Sequence, residues 1–119
     1  MNGERWGWIG VDLDGTLAKY DKWVAVDHIG EPVPEMVLRV LRWLRQGYKV
    51  KIFTARVSNL ERAPKARLAI AAWCDRHIGQ QLEVTCMKDY AMIELWDDRC
   101  VGVEHNTGRP LGPSPGGYE

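Results

Sequence analysis

A short, mostly apolar run, Trp6 to Val11, stops abruptly at Asp12-Leu13-Asp14-Gly15-Thr16. A continuous run of that length suits a strand of a parallel sheet buried on both faces. Two carboxylates and a glycine then stand at its carboxyl end, the edge on which open α/β sheets bind their ligands. A chain that begins this way must build the rest of a parallel sheet around that strand.

The remaining pattern supplies the parts. Residues Lys19 to Pro34 have mixed polarity, with Gly30, Pro32 and Pro34, and read as an exposed loop or small hairpin. Val37, Val40, Leu41 and Leu44 then recur at helical spacing, while Glu35, Arg39, Arg42 and Arg45 fall largely on other faces. Pro34 suits the first helical turn and Gly47 the end. Tyr48 to Phe53 reads as a second strand, stopping at Thr54-Ala55-Arg56. A second helix is expected from about Pro64 to His77, with Leu68, Ala71, Ala72 and Cys74 among its small or apolar positions. Leu82 to Cys86 is a third strand, Ile93 to Trp96 a fourth ending in Asp97-Asp98, and Cys100 to Val103 a fifth, at the edge. Alternation of strands and helices predicts one Rossmann-like α/β domain, a central parallel sheet flanked by helices and joined by right-handed crossovers. It would occupy residues 1–107. The Gly- and Pro-rich segment 108–119 lacks any apolar period and is expected to be a flexible tail.

Composition narrows the function. A chain of 119 residues holds one domain with a core of its own. Sixteen basic and sixteen acidic residues cancel, so no global field steers it toward nucleic acid or membrane. Cys74, Cys86 and Cys100 are odd in number and contain no CxxC pair, which argues against zinc or thioredoxin-like chemistry and for buried, reduced thiols. With no signal-like N-terminus and no run near the ~20 apolar residues of a membrane span, a soluble, cytoplasmic protein is expected.

The predicted strand ends gather Asp12, Asp14, Thr54, Asp97 and Asp98 on one edge of the sheet, with Lys88 just beyond the third strand. Four acids, a hydroxyl and a lysine suit a divalent cation and a phosphate. A carboxylate such as Asp12 can attack phosphorus and form an acyl phosphate. Asp14 could protonate the departing oxygen and later take a proton from water. Gly15 would let the backbone approach the phosphate and offer its N–H. A hard cation held by oxygens would offset the repulsion between acids and phosphate, and Mg²⁺ fits. Asp97 is its natural further ligand, with Asp98 beside it or acting through water. Lys88 would balance negative charge, and Thr54 would donate to a phosphate oxygen.

These residues, in the order Asp12-Leu13-Asp14-Gly15-Thr16, Thr54, Lys88, Asp97-Asp98, resemble the four motifs of the haloacid dehalogenase (HAD) superfamily over about residues 6 to 104. Taking each fixed residue at about one in twenty, a chance Asp-x-Asp-Gly-Thr is on the order of one in a thousand for such a chain. The resemblance implies that Asp12 is the nucleophile and a Mg²⁺ ligand. Asp14 would contribute its backbone carbonyl to the metal, and the Asp97-Asp98 pair would complete the set. Gly15, Thr16, Thr54, Ala55 and Arg56 would line the phosphate. About 17 residues between Thr16 and Pro34, and about 30 between Thr54 and Lys88, cannot house a folded cap. The chain is thus similar to small capless HAD-like proteins of phages and bacteria, which share wording such as IELWDDR and a following NTG. TLAK also resembles the phosphatase domain of phage polynucleotide kinase. One departure concerns Lys88: eight residues before Asp97 are too few for the helix that often separates the last two motifs. Lys49, Lys51 and Lys65 are poorly placed to substitute.

Plainer readings stand beside these. Thr54 could simply cap the next turn, and Asp97-Asp98 could be an acidic turn. Arg56 and Arg99 directly follow motif residues and could bind a substrate phosphate or pair with the acids, with structural pairing favoured for Arg99, which acids adjoin. His28, His77 and His105 are scattered and suit surface or helix-end roles. Trp43 and Trp73 read as packing residues, whereas Trp23, in the loop, could cover a flat substrate. The expectation is a phosphomonoester hydrolase with an open site, acting on a small molecule or a nucleic-acid end, with room for an oligomer or a partner that closes the site. A nucleotide or polynucleotide phosphate is the first choice. Its rivals are a catalytically silent metal- and phosphate-binding module and a phosphotransferase.

Overall fold

A computed structural model describes residues 5–118. Strands β1 (Trp8–Asp12), β2 (Lys49–Phe53), β3 (Glu83–Thr85) and β4 (Met92–Trp96) form one parallel sheet in the order β3-β2-β1-β4, and helices α1 (Pro34–Arg45) and α2 (Ala63–His77) join the first three. The architecture is Rossmann-like α/β. No helix among the described residues is long and apolar enough to cross a membrane.

Register places the core. Ile9 pairs with Val50 and Val11 with Ile52, so these four share one face of the sheet. They cluster with Met36 and Val40 of α1 and with Ala66, Ile70, Trp73 and Cys74 of α2. Fully burying an aliphatic side chain such as Val11, Ile52 or Ile70 contributes roughly 1.5–3 kcal/mol. Both helices lie on this face because the chain steps from β1 to β2 to β3 in one direction, and right-handed crossovers then fall on the same side.

The return from β3 to β4 runs the other way and must cross the opposite face. It does so in residues 86–91, without a helix. Asp89 in this strap accepts the Trp8 indole N–H at 2.9 Å, and the Ala91 carbonyl accepts the Trp8 backbone N–H at 2.9 Å. Trp8 is thereby buried, with Lys51 Nζ 4.4 Å from its ring centre.

The elements depart from expectation in three places. Residues 100–103 form no strand of the sheet; Val103 bridges, antiparallel, to Pro110 and the Gly102 carbonyl accepts the Leu111 N–H at 2.8 Å, so this stretch pairs with the segment that follows it instead of with the sheet edge. Helix α2 begins one residue before Pro64, which its first turn tolerates for want of an N–H requirement there. Its buried stripe is Ala63, Ala66, Ile70, Trp73 and Cys74, which leaves Leu68 exposed. Trp73 packs in the core and donates its indole N–H to the Gly30 carbonyl at 2.9 Å, and Trp43 meets Trp96 edge to face.

Candidate functional site

β1 is where the strand order reverses: its successors β2 and β3 lie to one side and β4 to the other. Such a switch point opens a crevice beyond the carboxyl ends of the strands. Asp12 ends β1 and Asp97-Asp98 follow β4, so the acids straddle it. A cavity of about 610 Å³ occupies the crevice, lined among others by Asp12, Asp14, Thr54, Asp97 and Asp98.

Three of the four expected acids come together. One carboxylate oxygen each from Asp12, Asp97 and Asp98 lies within 4.8 Å of the others. The hydroxyl of Thr16 stands 3.3 Å from Asp12 Oδ2 and 3.3 Å from Asp98 Oδ1, and accepts the Asp98 backbone N–H at 3.1 Å. Asp97 is braced separately, accepting the Arg99 backbone N–H at 2.8 Å. Burial, then the charge of Asp97 and a hydrogen bond with Asp98, push the Asp12 carboxyl from 3.8 up to about 7. The donor set is all oxygen, crowded and reluctant to carry its full charge without a counter-ion. It fits a hard divalent cation.

Gly15 has φ +90°, and a Cβ there would lie 2.5 Å from Asp98 Oδ2. The glycine is therefore needed to let Asp98 approach. Its N–H donates to the Ala18 carbonyl at 2.8 Å, closing the turn, and is not free for a phosphate in this conformation.

Asp14 stands apart from the acid cluster. Both of its carboxylate oxygens accept from Arg56, Nε to Oδ2 at 2.8 Å and Nη2 to Oδ1 at 2.8 Å. Arg56 is buried, and removing one partner of such a pair leaves a charge unpaired at a cost of about 3–5 kcal/mol. The 3₁₀ turn Ala55–Val57 sets this geometry, with the buried Thr54 as its cap, its hydroxyl oxygen accepting the Arg56 backbone N–H at 3.2 Å. The Thr54 hydroxyl hydrogen is left to donate into the cavity, which Ala55 also lines.

Lys88 is exposed in the strap between β3 and β4 and does not line the cavity. The next residue, Asp89, is tied to Trp8 at the opposite end of β1. Six residues that must travel from the carboxyl end of β3 to the start of β4 leave no slack to hold a lysine at the top.

Residues unforeseen from the sequence complete the lining: Tyr20, Ser58, Asn59 and Arg62, beside Trp23 and Arg99. The side chains of Arg62 and Arg99 make no hydrogen bond or ion pair among the described residues. The signal for Arg62 is its place just before α2, on the loop leaving Thr54.

No family model matches the chain, and no curated protein matches it. Among solved structures it is similar to a conserved protein coded by a locus of Bacteroides thetaiotaomicron, with a TM-score of 0.55, 21% identity, and coverage of 82% of this chain and 80% of that one. At that identity the likeness shows the fold alone.

Proposed function

We propose that this protein is a divalent-cation-dependent phosphomonoester hydrolase of the HAD type, with Asp12 as nucleophile. The observation that carries the reading is the meeting of Asp12, Asp97 and Asp98 at the switch point, beside Thr54. Asp12 holds its carboxylate toward the cavity, where one oxygen can bond to phosphorus as the ester oxygen leaves. Thr54 donates to a phosphate oxygen, and Asp14 serves the proton of the leaving group. A bound cation, for which Mg²⁺ is the natural choice, would be held by Asp12, Asp97 and Asp98 and would supply neutralisation of phosphate charge. Water, giving a proton to Asp14, then attacks phosphorus and releases phosphate as its bond to Asp12 breaks. The open mouth of the cavity favours water over a competing acceptor, and so hydrolysis over phosphotransfer.

Tyr20 and Trp23 at the mouth, with Arg62 and Arg99, support a substrate that is flat and anionic beyond the phosphate transferred. A nucleotide, or the phosphorylated end of a nucleic acid, meets that description.

The position of Lys88 outside the cavity favours a second reading, a module that binds metal and phosphate without turnover. One experiment separates the two: release of inorganic phosphate from nucleoside monophosphates, sugar phosphates and 3′- or 5′-phosphorylated oligonucleotides, with and without Mg²⁺. Mg²⁺-dependent release that disappears in Asp12→Asn supports the hydrolase. Mg²⁺ binding with no release from any substrate overturns it in favour of the module.

A further inference from the structure

We propose that Arg56 is a positioning residue that holds Asp14 and the loop over the site as one unit, so that the loop cannot open without loosening that carboxylate. An arginine has five N–H donors in a rigid fork. Here four are taken up on two sides. Nε and Nη2 hold Asp14, while Nη1 donates to the backbone carbonyls of Ala25 at 3.1 Å and Val26 at 2.8 Å. Trp23, from the same loop, lies over the guanidinium with its ring centre 5.0 Å from Cζ.

The rest of the loop is held at its base. The Lys19 N–H donates to the Glu31 carbonyl, the Val33 N–H to the Leu17 carbonyl, and the Trp73 indole to the Gly30 carbonyl. A Cβ at Gly30 would collide with the Lys19 carbonyl, so the two sides of the loop can pinch together only at glycine. Toward the tip, the further ties are Val26, packed against the core, and the ion pair Lys65–Asp27 at 3.7 Å, exposed on both sides and therefore weak. Arg56 is thus the principal polar fastening of residues 20–27, and the same side chain orients Asp14.

Two consequences follow that a merely structural arginine would not produce. Loss of Asp14 should loosen backbone that Asp14 does not touch, because an Arg56 freed on one side holds less firmly on the other. Loss of Arg56 should also impair the reaction in proportion to the leaving group's need for a proton. The second consequence rests on the hydrolase reading; the first does not.

The test uses the full chain with Arg56→Lys and Asp14→Ala. Lysine retains the charge but cannot bridge both sides at once. Amide hydrogen exchange of His28, whose N–H donates to the Ala25 carbonyl at 3.1 Å, is measured beside the amides of α2 around Ile70, which report global unfolding. Both variants are expected to accelerate exchange of this loop amide by about tenfold or more through local opening, with α2 reporting the loss of global stability separately. In turnover, Arg56→Lys is expected to lower kcat for a nucleoside monophosphate by about 10²-fold, the lower range of general acid catalysis. The loss for p-nitrophenyl phosphate, whose leaving group needs no proton, is expected to be several-fold at most, with KM little changed for either. Unchanged loop exchange in Asp14→Ala would overturn the mechanical coupling. Equal losses of kcat on both substrates would overturn the positioning role. If Arg56→Lys does not fold, Asp14→Ala decides the coupling alone, and a chain without phosphatase activity still answers through exchange.

Discussion

Thr16 and Asp98, 82 residues apart in the chain, are joined through a single oxygen: Thr16 Oγ1 accepts the Asp98 backbone N–H at 3.1 Å and stands 3.3 Å from its Oδ1. The hydroxyl fastens the acid pair after β4 to the turn after β1. Thr16→Val keeps the shape and removes the link, leaving the Asp98 N–H without its partner. Asp98 is exposed and water can take the partner's place, so the loss is about 0.5–1.5 kcal/mol. Calorimetric titration with Mg²⁺ is expected to show affinity reduced by about two- to tenfold, the same range expressed as a binding ratio. An unchanged affinity would show that Thr16 does not organise the acids.

The turn itself is the second target. Gly15→Ala places a methyl against the Asp98 carboxylate and imposes a left-handed backbone on a residue that resists it, at a conformational cost of about 1–2 kcal/mol. Asp98 can relieve the contact only by rotating away from Asp12. The variant is expected to fold with a lowered melting temperature and to lose Mg²⁺ binding by more than about tenfold, taking 1.4 kcal/mol per decade. Wild-type affinity would be incompatible with the close approach described.

Asp12 gives a pH dependence with a definite sign. Its carboxyl titrates near 7 when folded without a cation and near 3.8 when unfolded. Between those values the folded state holds the additional proton, so stability falls as pH rises from about 4 to about 7 and levels off beyond. A cation competes with that proton, and its stabilising effect grows over the same window. Thermal melts at pH 5 to 8 with and without Mg²⁺ are expected to show the Mg²⁺ increment rising with pH, and to show it flattened in Asp12→Asn. An increment independent of pH in the wild type would contradict the assignment.

The thiols should separate by reactivity. Cys74 is buried in the core, and burial pushes it up to about 11, whereas Cys100 is exposed. At pH 8 iodoacetamide is expected to label Cys100 within minutes and Cys74 only on unfolding, as read by peptide mass spectrometry. Rapid native labelling of Cys74 would mean that the α2 face opens far more readily than its packing implies.

Much of this site was legible in the sequence, and the reason is geometric. Strand ends in a parallel sheet share one edge, so Asp12, Thr54 and Asp97-Asp98 could be brought together from strand boundaries alone. What the spacing leaves open is the outcome of the competition among polar groups for partners. Nothing in the spacing of Asp14 and Arg56, 42 residues apart, says that one guanidinium satisfies both carboxylate oxygens. The Gly15 N–H belongs to its own turn, a choice made by the local chain closing on Ala18. Lys88 was assigned by order along the chain, but a six-residue return has to descend the whole strand. The expected fifth strand is absent because residues 102–104 pair with 109–111, further along the chain, and not with the sheet.

The strand order has a consequence for how the site comes into being. Strands β1, β2 and β3 are neighbours in sequence as well as in space and can zip up through local closures. β4 instead pairs with β1 at the largest sequence separation in the sheet, Trp8 with Met92, and closes through a short strap only once β1, β2 and β3 have come together. Asp12 waits on one side of that seam and Asp97 and Asp98 arrive on the other. The acid cluster is therefore a marker of topological completion: it exists when the seam is shut, and a cation bound there would act as a clasp across it.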